Sequence, residues 1–93
     1  MKTLDGPALD EALRALSHPD RRLFVKACQS ELRAAGDLAA LSELSLATVS
    51  EHLKVLRKSG LLILSKQGRF WLYRTDIGAL QAVANAVAQL EGT

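Results

Sequence analysis

The 93-residue chain has few of the residues that define several large classes of protein. It contains one cysteine, two prolines and four aromatic residues. A single cysteine excludes an intramolecular disulfide framework. No apolar run approaches the roughly 20 residues that a membrane-spanning helix needs, and the acidic N-terminal region lacks the apolar segment of a secretory signal. We therefore expect a cytoplasmic protein with no membrane partner.

Arrangements typical of catalysis are also missing from the sequence. There is no glycine-rich phosphate loop, no Ser–His–Asp set and no pair of carboxylates at a useful spacing. Two histidines, one cysteine and scattered carboxylates do not form a recognisable zinc pattern. The sequence therefore predicts a protein that is not an enzyme and that has no cofactor and no metal site.

The residues that are abundant favour helices. Apolar residues make up 48% of the chain and charged residues 24%, as in an ordinary globular protein. With so few aromatic side chains the core must consist of Leu, Ala and Val, and Leu and Ala are strong helix formers. The length predicts a single domain over residues 1–93. A core of this size is marginal on its own, so a partner that covers apolar surface would stabilise it.

The most informative stretch, residues 45–60, predicts a helix with both ends marked. Ser45 is a good N-cap, and Gly60 can adopt the left-handed conformation that ends helices. Val49, Leu53 and Leu56 form one apolar stripe. The opposite face carries small, polar and basic side chains, a layout typical of a helix that contacts base edges and phosphates: Ala47, Ser50, Glu51, Lys54 and Lys58.

Charge is concentrated around this helix. Residues 45–75 contain six basic residues and one acidic residue, a net charge of +5, so the remainder of the chain sums to −3. A basic block in a slightly acidic chain indicates a face that binds a polyanion. The alternative is a basic face that is only solvated.

Three further helices are predicted before residue 45, and residues 1–6 are expected to be loose. The first covers residues 7–16, and the second covers 19–30 with Ser17 or His18 as its cap. The third, residues 37–42, follows a connection over residues 32–36. A short helix, a tight turn and a capped second helix make a helix-turn-helix pattern. The inward positions are expected to be Leu23, Phe24, Ala27 and Cys28 on the second helix and Leu38 and Leu41 on the third.

Two strands follow, over residues 61–65 and 70–74. Gly68 supplies positive φ to the turn between them, so the pair forms a hairpin, or wing, with Lys66, Gln67 and Arg69 at its tip. Alternation places Trp71 and Tyr73 on one side of the hairpin. We expect them to pack in the core beneath the wing, the alternative being that they stack on bases.

The last helix, capped by Thr75 or Asp76, is apolar and nearly free of charge. Its larger side chains recur near heptad spacing, and the domain is too small to cover them all. We therefore expect a homodimer in which residues 7–16 and 77–91 form the dimerisation helices. The interface residues are predicted to be Leu9, Leu13, Leu80, Val83, Val87 and Leu90.

Three side chains have a structural and a functional interpretation. Cys28 lies on an apolar helix face, which favours core packing over a redox or persulfide sensor. His52 is expected to pack or to form a local hydrogen bond rather than to contact a base. His18 is expected to cap a helix rather than to bind a metal.

Four segments of the sequence resemble the ArsR/SmtB family of bacterial winged-helix repressors. They are residues 16–22 (LSHPDRR), 37–39 (DLA), 48–61 (TVSEHLKVLRKSGL) and 68–74 (GRFWLYR), and the match covers roughly residues 9–78. The resemblance implies a mostly α winged helix-turn-helix fold with about five helices and two strands. It also implies a homodimer that binds an operator in double-stranded DNA and leaves it when an effector, which the sequence does not identify, binds.

The chain departs from the family at its metal sites. Metal-sensing members often carry a Cys-x-Cys element before the turn, whereas residues 32–36 contain no thiol. Other members place Asp and His ligands along the last helix, and residues 77–91 contain no histidine. We therefore expect a repressor that does not respond to metal. The residues expected to contact DNA are Ala47, Thr48, Ser50, Glu51, Lys54, Lys58, Lys66, Gln67 and Arg69.

Two alternatives to such a repressor remain. A winged-helix module could bind another protein, although the basic block suits duplex DNA better than a generic protein partner. A repressor could also respond to thiol oxidation through Cys28.

Overall fold

A computed structural model describes residues 4–92. Five α-helices are present: α1 (Gly6–Ala15), α2 (Pro19–Ala27), α3 (Ala35–Ser42), α4 (Leu46–Lys58) and α5 (Ile77–Ala88), the last followed by a 3₁₀ turn at Gln89–Glu91. Three short strands, β1 (Arg33–Ala34), β2 (Leu62–Gln67) and β3 (Phe70–Thr75), form an antiparallel sheet in the order β1-β3-β2. The mostly α winged helix-turn-helix fold is confirmed. None of the described helices has the length and apolarity that a bilayer crossing requires.

Local capping chemistry sets the starts of α2 and α4 and the end of α4 where the sequence placed them. Ser45 accepts from the amide of Thr48 (3.2 Å), and the His18 Nδ1 atom accepts from the amide of Asp20 (3.1 Å). Gly60 adopts φ 84° after α4. The two hydrogen bonds satisfy amides that have no partner within the helix, and glycine adopts the left-handed conformation after α4 without a steric penalty. At the end of α5 the structure continues as a 3₁₀ turn.

The N-terminal region is more ordered than expected over its described part. The Asp5 carboxylate accepts from the amide of Ala8 (2.8 Å) and so caps α1. The side chain of Leu4 packs against the core. The prediction of a loose segment is therefore wrong for residues 4–6, and residues 1–3 lie outside the described residues.

The turn of the helix-turn-helix motif depends on one unusual backbone conformation. Glu43 ends α3 with φ 60°, the left-handed region that side chains other than glycine seldom adopt. Its amide donates to the carbonyl of Ala39 (2.9 Å). This conformation ends α3, and after a turn over residues 43–45 the next helix, α4, begins at Leu46.

The core contains the predicted stripe of α4 but differs on the two preceding helices. Val49, Leu53 and Leu56 are all buried. Leu41 is 50% exposed and Leu23 is also exposed, so both predictions of inward packing are wrong. The second helix ends at Ala27 rather than Ser30, and its buried residues are Phe24 and Val25, followed by the buried C-cap Cys28. Val25 is buried rather than Leu23 because α2 also packs against β3, whose last residue, Thr75, donates its hydroxyl to the carbonyl of Val25.

The connection over residues 32–36 was predicted as a loop and contains β1. Arg33 pairs with Tyr73 and Ala34 with Leu72. The Arg33 Nε atom also donates to the carbonyl of Ala27 (3.1 Å). A strand of two residues has no periodicity of its own and exists only because β3 offers a free edge.

Thr75 joins the base of the wing to the helical part of the domain. Its buried hydroxyl donates to the carbonyl of Val25 (2.6 Å), and its amide donates to the carbonyl of Cys28 (3.0 Å). The next amide, that of Asp76, donates to the carbonyl of Leu61 (3.0 Å). The end of α2, the end of β3 and the start of α5 are therefore held together at one point.

The buried stripe of α4 generates a stability prediction. Leu53→Ala should lower the free energy of unfolding by about 2–5 kcal/mol, because it removes buried methyl groups and leaves a cavity. Leu46→Ala is the matched control, since Leu46 lies on the same helix and is exposed, and it should cost about 0.5 kcal/mol or less. Urea denaturation followed by circular dichroism measures both. Equal losses for the two variants would contradict the packing described.

Candidate nucleic-acid interface

The outward face of α4 is fixed by the residues that α4 buries. With Val49, Leu53 and Leu56 in the core, a period of 3.6 residues turns the opposite side chains to solvent. Thr48 and Ser50 lie at the two edges of this exposed face. All six residues that the sequence assigned to the surface are exposed: Ala47, Thr48, Ser50, Glu51, Lys54 and Lys58.

Thr48 differs from its neighbours because it also belongs to the helix cap. The Ser45 hydroxyl donates to the Thr48 hydroxyl oxygen (2.9 Å) while accepting from the Thr48 amide. The Thr48 hydroxyl is thereby oriented by the helix terminus. Ser50 has no such constraint and lies on the other edge of the exposed face.

Glu51 is an isolated acid in a basic surface. Within residues 4–92, no ion pair joins its carboxylate to Lys54 or Lys58. The carboxylate and the two ammonium groups are therefore all open to solvent and to a ligand. Lys54, Arg57 and Lys58 also border a cleft whose other wall is residues 62–64 of β2, so the positive charge of the helix extends toward the wing.

The wing presents the other half of the basic surface. Gln67 pairs with Phe70 at the end of the hairpin, which leaves Gly68 and Arg69 as a two-residue turn. Gly68 has φ 62°, as a tight hairpin turn with glycine at its first central position requires. The three predicted tip residues, Lys66, Gln67 and Arg69, are all exposed. Residues 66 and 67 belong to β2, which is longer than predicted.

Trp71 does not pack in the core, which corrects the prediction. It is 51% exposed, and the Lys66 Nζ atom lies 4.5 Å from the centre of its ring. Tyr73 is half-buried against the core as expected. The two side chains share a face of β3, but Trp71 lies two register pairs closer to the tip of the hairpin. Alternation predicts the shared face but not how far the core reaches beneath it.

A cluster that the sequence did not predict lies between the start of α2 and the inner edge of α4. The rings of His18 and His52 are 4.4 Å apart, and an Arg21 guanidinium nitrogen lies 3.4 Å from the His52 Nδ1 atom. Burial lowers the pKa of His52, and the neighbouring His18 and Arg21 lower it further. The lowered pKa favours a neutral His52 ring, and the cluster packs α4 against α2, consistent with the structural interpretation of both histidines.

The two histidines, together with Asp20, are the group among residues 4–92 that could hold a metal ion. Ligand atoms of His18, Asp20 and His52 lie within 4.8 Å of one another. The Nδ1 atoms of both histidines, however, face protein N–H donors, the amide of Asp20 and the guanidinium of Arg21. A metal that used these lone pairs would have to displace both contacts. Sequence spacing gives no signal for this group because His52 is far from the other two along the chain.

Cys28 is almost fully buried among core side chains. Burial raises the pKa of its thiol to about 11, although Arg33 acts in the opposite direction. A thiol with this pKa is protonated at neutral pH, and the thiolate is the reactive form. These properties favour core packing over a redox role.

The residues assigned to a dimer interface fall into two groups. Leu13, Val87 and Leu90 are exposed, with Leu90 85% exposed, and Leu9 and Leu80 are half-buried. Val83 is 4% exposed because it belongs to the core of its own chain. A groove next to Leu80 continues this apolar surface across the ends of α1 and α2. Much of the stripe that the sequence predicted is therefore accessible in the single chain.

The chain is similar in sequence and in fold to proteins described as transcriptional regulators. A family model described as a helix-turn-helix domain matches residues 16–64. A possible transcriptional regulator for arsenical resistance shares 30% identity with a TM-score of 0.79, over 89% of this chain and 86% of that one. An ArsR-like transcriptional regulator from Rhodococcus sp. RHA1 shares 25% identity with a TM-score of 0.84, over 90% and 77% respectively.

A third solved structure is described as a repressor. The transcriptional repressor BigR from Xylella fastidiosa shares 27% identity with a TM-score of 0.69, over 94% of this chain and 89% of that one. The residues matched by the helix-turn-helix family model, 16–64, include both helices of the motif and the first residues of β2. The chain therefore belongs to the ArsR/SmtB-type family of winged helix-turn-helix, DNA-binding transcriptional regulators.

Proposed function

We propose that this protein is a homodimeric repressor that binds an imperfect palindrome. In this proposal α4 lies in the major groove, and the β2–β3 hairpin contacts the backbone or the minor groove beside it. The observation that carries the proposal is the exposed surface shared by α4 and the wing. Its cations are Lys54, Arg57, Lys58, Lys66 and Arg69, and Glu51 is its single acid.

The two parts of this surface suit different features of DNA. Ala47, Ser50 and Glu51 lie on a helix, which fits the major groove, where the four base pairs differ in their hydrogen-bonding groups. Lys66 and Arg69 extend from a narrow hairpin, where flexible cations reach phosphates. We therefore assign base reading to the first turns of α4 and backbone contacts to the wing.

A dimer is supported by the apolar surface left open on α5. Leu90 and Val87 are exposed, and Leu13 on α1 is exposed as well. Isolated exposed leucines are common on monomers, but here several exposed apolar side chains lie on two helices that contact each other, which favours an interface. A second copy of this chain is a suitable partner because a two-fold interface brings the same patch of both subunits together. Two α4 helices related in this way would contact half-sites one DNA turn apart or a small multiple of it.

We also propose that DNA release does not use either metal site of the family. Residues 32–36 contain no cysteine and residues 77–91 no histidine, so both positions lack the ligands that the resemblance implies. The His18–Asp20–His52 group is engaged in helix capping and packing, which supports a structural role. The buried, protonated Cys28 likewise argues against a thiol switch.

Selection of binding sites from random duplexes tests the proposal. The selected sequences should contain an imperfect palindrome, and each duplex should bind two chains. The physical reason is that two identical recognition helices read the same half-site in opposite directions. A single unrepeated motif bound by one chain would contradict the dimeric mode, and the absence of any enriched motif would contradict sequence-specific binding.

The dimer can be tested with a charge placed on α5. Val87→Glu should raise the dimer dissociation constant on the order of 100-fold, because an unpaired carboxylate in an apolar interface costs several kcal/mol. Sedimentation velocity at micromolar concentration measures the effect. Asn85→Glu is the matched control, since position 85 is exposed and lies about 200° around the helix from Val87. A wild-type monomer, or equal effects of both variants, would rule out this interface.

Different DNA roles for α4 and the wing predict different mutant behaviour. Arg69→Ala should weaken binding to all sequences about equally and lower the log–log salt slope by about one per contact. Glu51→Ala should change base preference at one position of each half-site by about 1–3 kcal/mol, because a carboxylate near DNA is best accommodated when it accepts from cytosine N4. Affinities for single-base operator variants at two salt concentrations distinguish the two effects.

A specific outcome would refute base reading by Glu51. If the carboxylate only weakens attraction to phosphates, Glu51→Ala should tighten binding to every sequence alike and steepen the salt dependence. Glu43→Ala is a useful comparison for long-range charge, because Glu43 is exposed in the turn before α4. Uniform tightening by both variants would assign Glu51 a purely electrostatic effect.

A further inference from the structure

Among the wing residues proposed to contact DNA, Lys66 has a distinct environment. Its Nζ atom lies 4.5 Å from the centre of the Trp71 ring. The two residues are direct partners across β2 and β3, so the ladder itself brings the ring and the ammonium group together. Gln67 and Arg69 have no comparable contact within the described residues.

Core packing does not explain why a tryptophan occupies position 71. The ring is 51% exposed, although alternation turns it to the same face as the half-buried Tyr73. Large aromatic side chains stabilise a domain mainly by burial, and Trp71 is only partly buried. An attractive face for a cation is a property that this ring does provide, since tryptophan is the strongest cation–π partner among the side chains.

We propose that Trp71 is a positioning residue that holds the Lys66 ammonium group on the wing for contact with a DNA phosphate. This inference rests on the proposed function of the wing. A free lysine on a hairpin tip samples many rotamers, and binding a phosphate must restrict them. Contact with the Trp71 ring restricts the side chain before DNA arrives, while Lys66 itself stays exposed with donors available for a phosphate oxygen.

The proposal predicts coupling between the two residues rather than independent effects. Trp71→Leu should weaken binding to a duplex of mixed sequence by about two- to fivefold, the range expected for one exposed cation–π contact. The same substitution in a Lys66→Ala background should have no further effect. Trp71→Phe should weaken binding less than Trp71→Leu does, because phenylalanine also offers an aromatic face.

A double-mutant cycle measured by fluorescence anisotropy of labelled duplex provides the test. The control cycle combines Trp71→Leu with Lys54→Ala, a cation on α4 with no contact to the ring, and the two losses should multiply. If Trp71→Leu weakens binding equally with and without Lys66, the ring contacts DNA directly and the positioning role is wrong. If Lys66→Ala alone has no effect, the wing lysine does not bind DNA and the proposal also fails.

A second measurement separates this proposal from the proposed function. In the free protein, the ring current of Trp71 should shift the Lys66 side-chain ε-proton resonances upfield, and Trp71→Leu should abolish that shift. Unchanged resonances would overturn the positioning role even if the protein binds its operator tightly. A normal ring-current shift in a protein that binds no duplex would instead contradict the proposed function and, with it, the purpose assigned to the contact.

Discussion

The burial of three side chains of α4 is the constraint on which the remaining arrangement depends. Val49, Leu53 and Leu56 occupy the centre of the core, and their packing fixes the rotation of the helix about its axis. A helix with one face fixed must expose the other, so the exposure of Glu51, Lys54 and Lys58 follows from the packing of the buried face. The surface proposed to bind DNA is in this sense a product of the hydrophobic effect.

The two halves of the interface are held by different forces. The α4 helix is attached by close packing of its buried face, and closely packed interiors leave little room for displacement. The wing tip extends past the core and is held by strand pairing, by a glycine turn and by the contact of Lys66 with Trp71. Precise contacts with base edges suit the packed half, while phosphates, which repeat along every duplex, suit the less constrained half.

The sequence predicted features that a few neighbouring residues determine. Ser45, His18 and Gly60 act within one helical turn, so their roles at the helix ends are visible in the local pattern. Features that depend on distant partners were missed or misjudged. The two-residue β1 exists only beside β3, the exposure of Leu41 and Trp71 depends on how far the core extends, and the His18–His52 contact joins segments far apart in the chain. Residue type and spacing do not carry this information.

Thr75 has a mechanical consequence that follows from its position between elements. It ends β3, bonds to the carbonyls of Val25 and Cys28 on α2, and immediately precedes the cap of α5. No flexible linker separates the hairpin from α5. A ligand that tilted α5 would therefore move the hairpin with it, and in the proposed dimer the distance between the two hairpin tips would change.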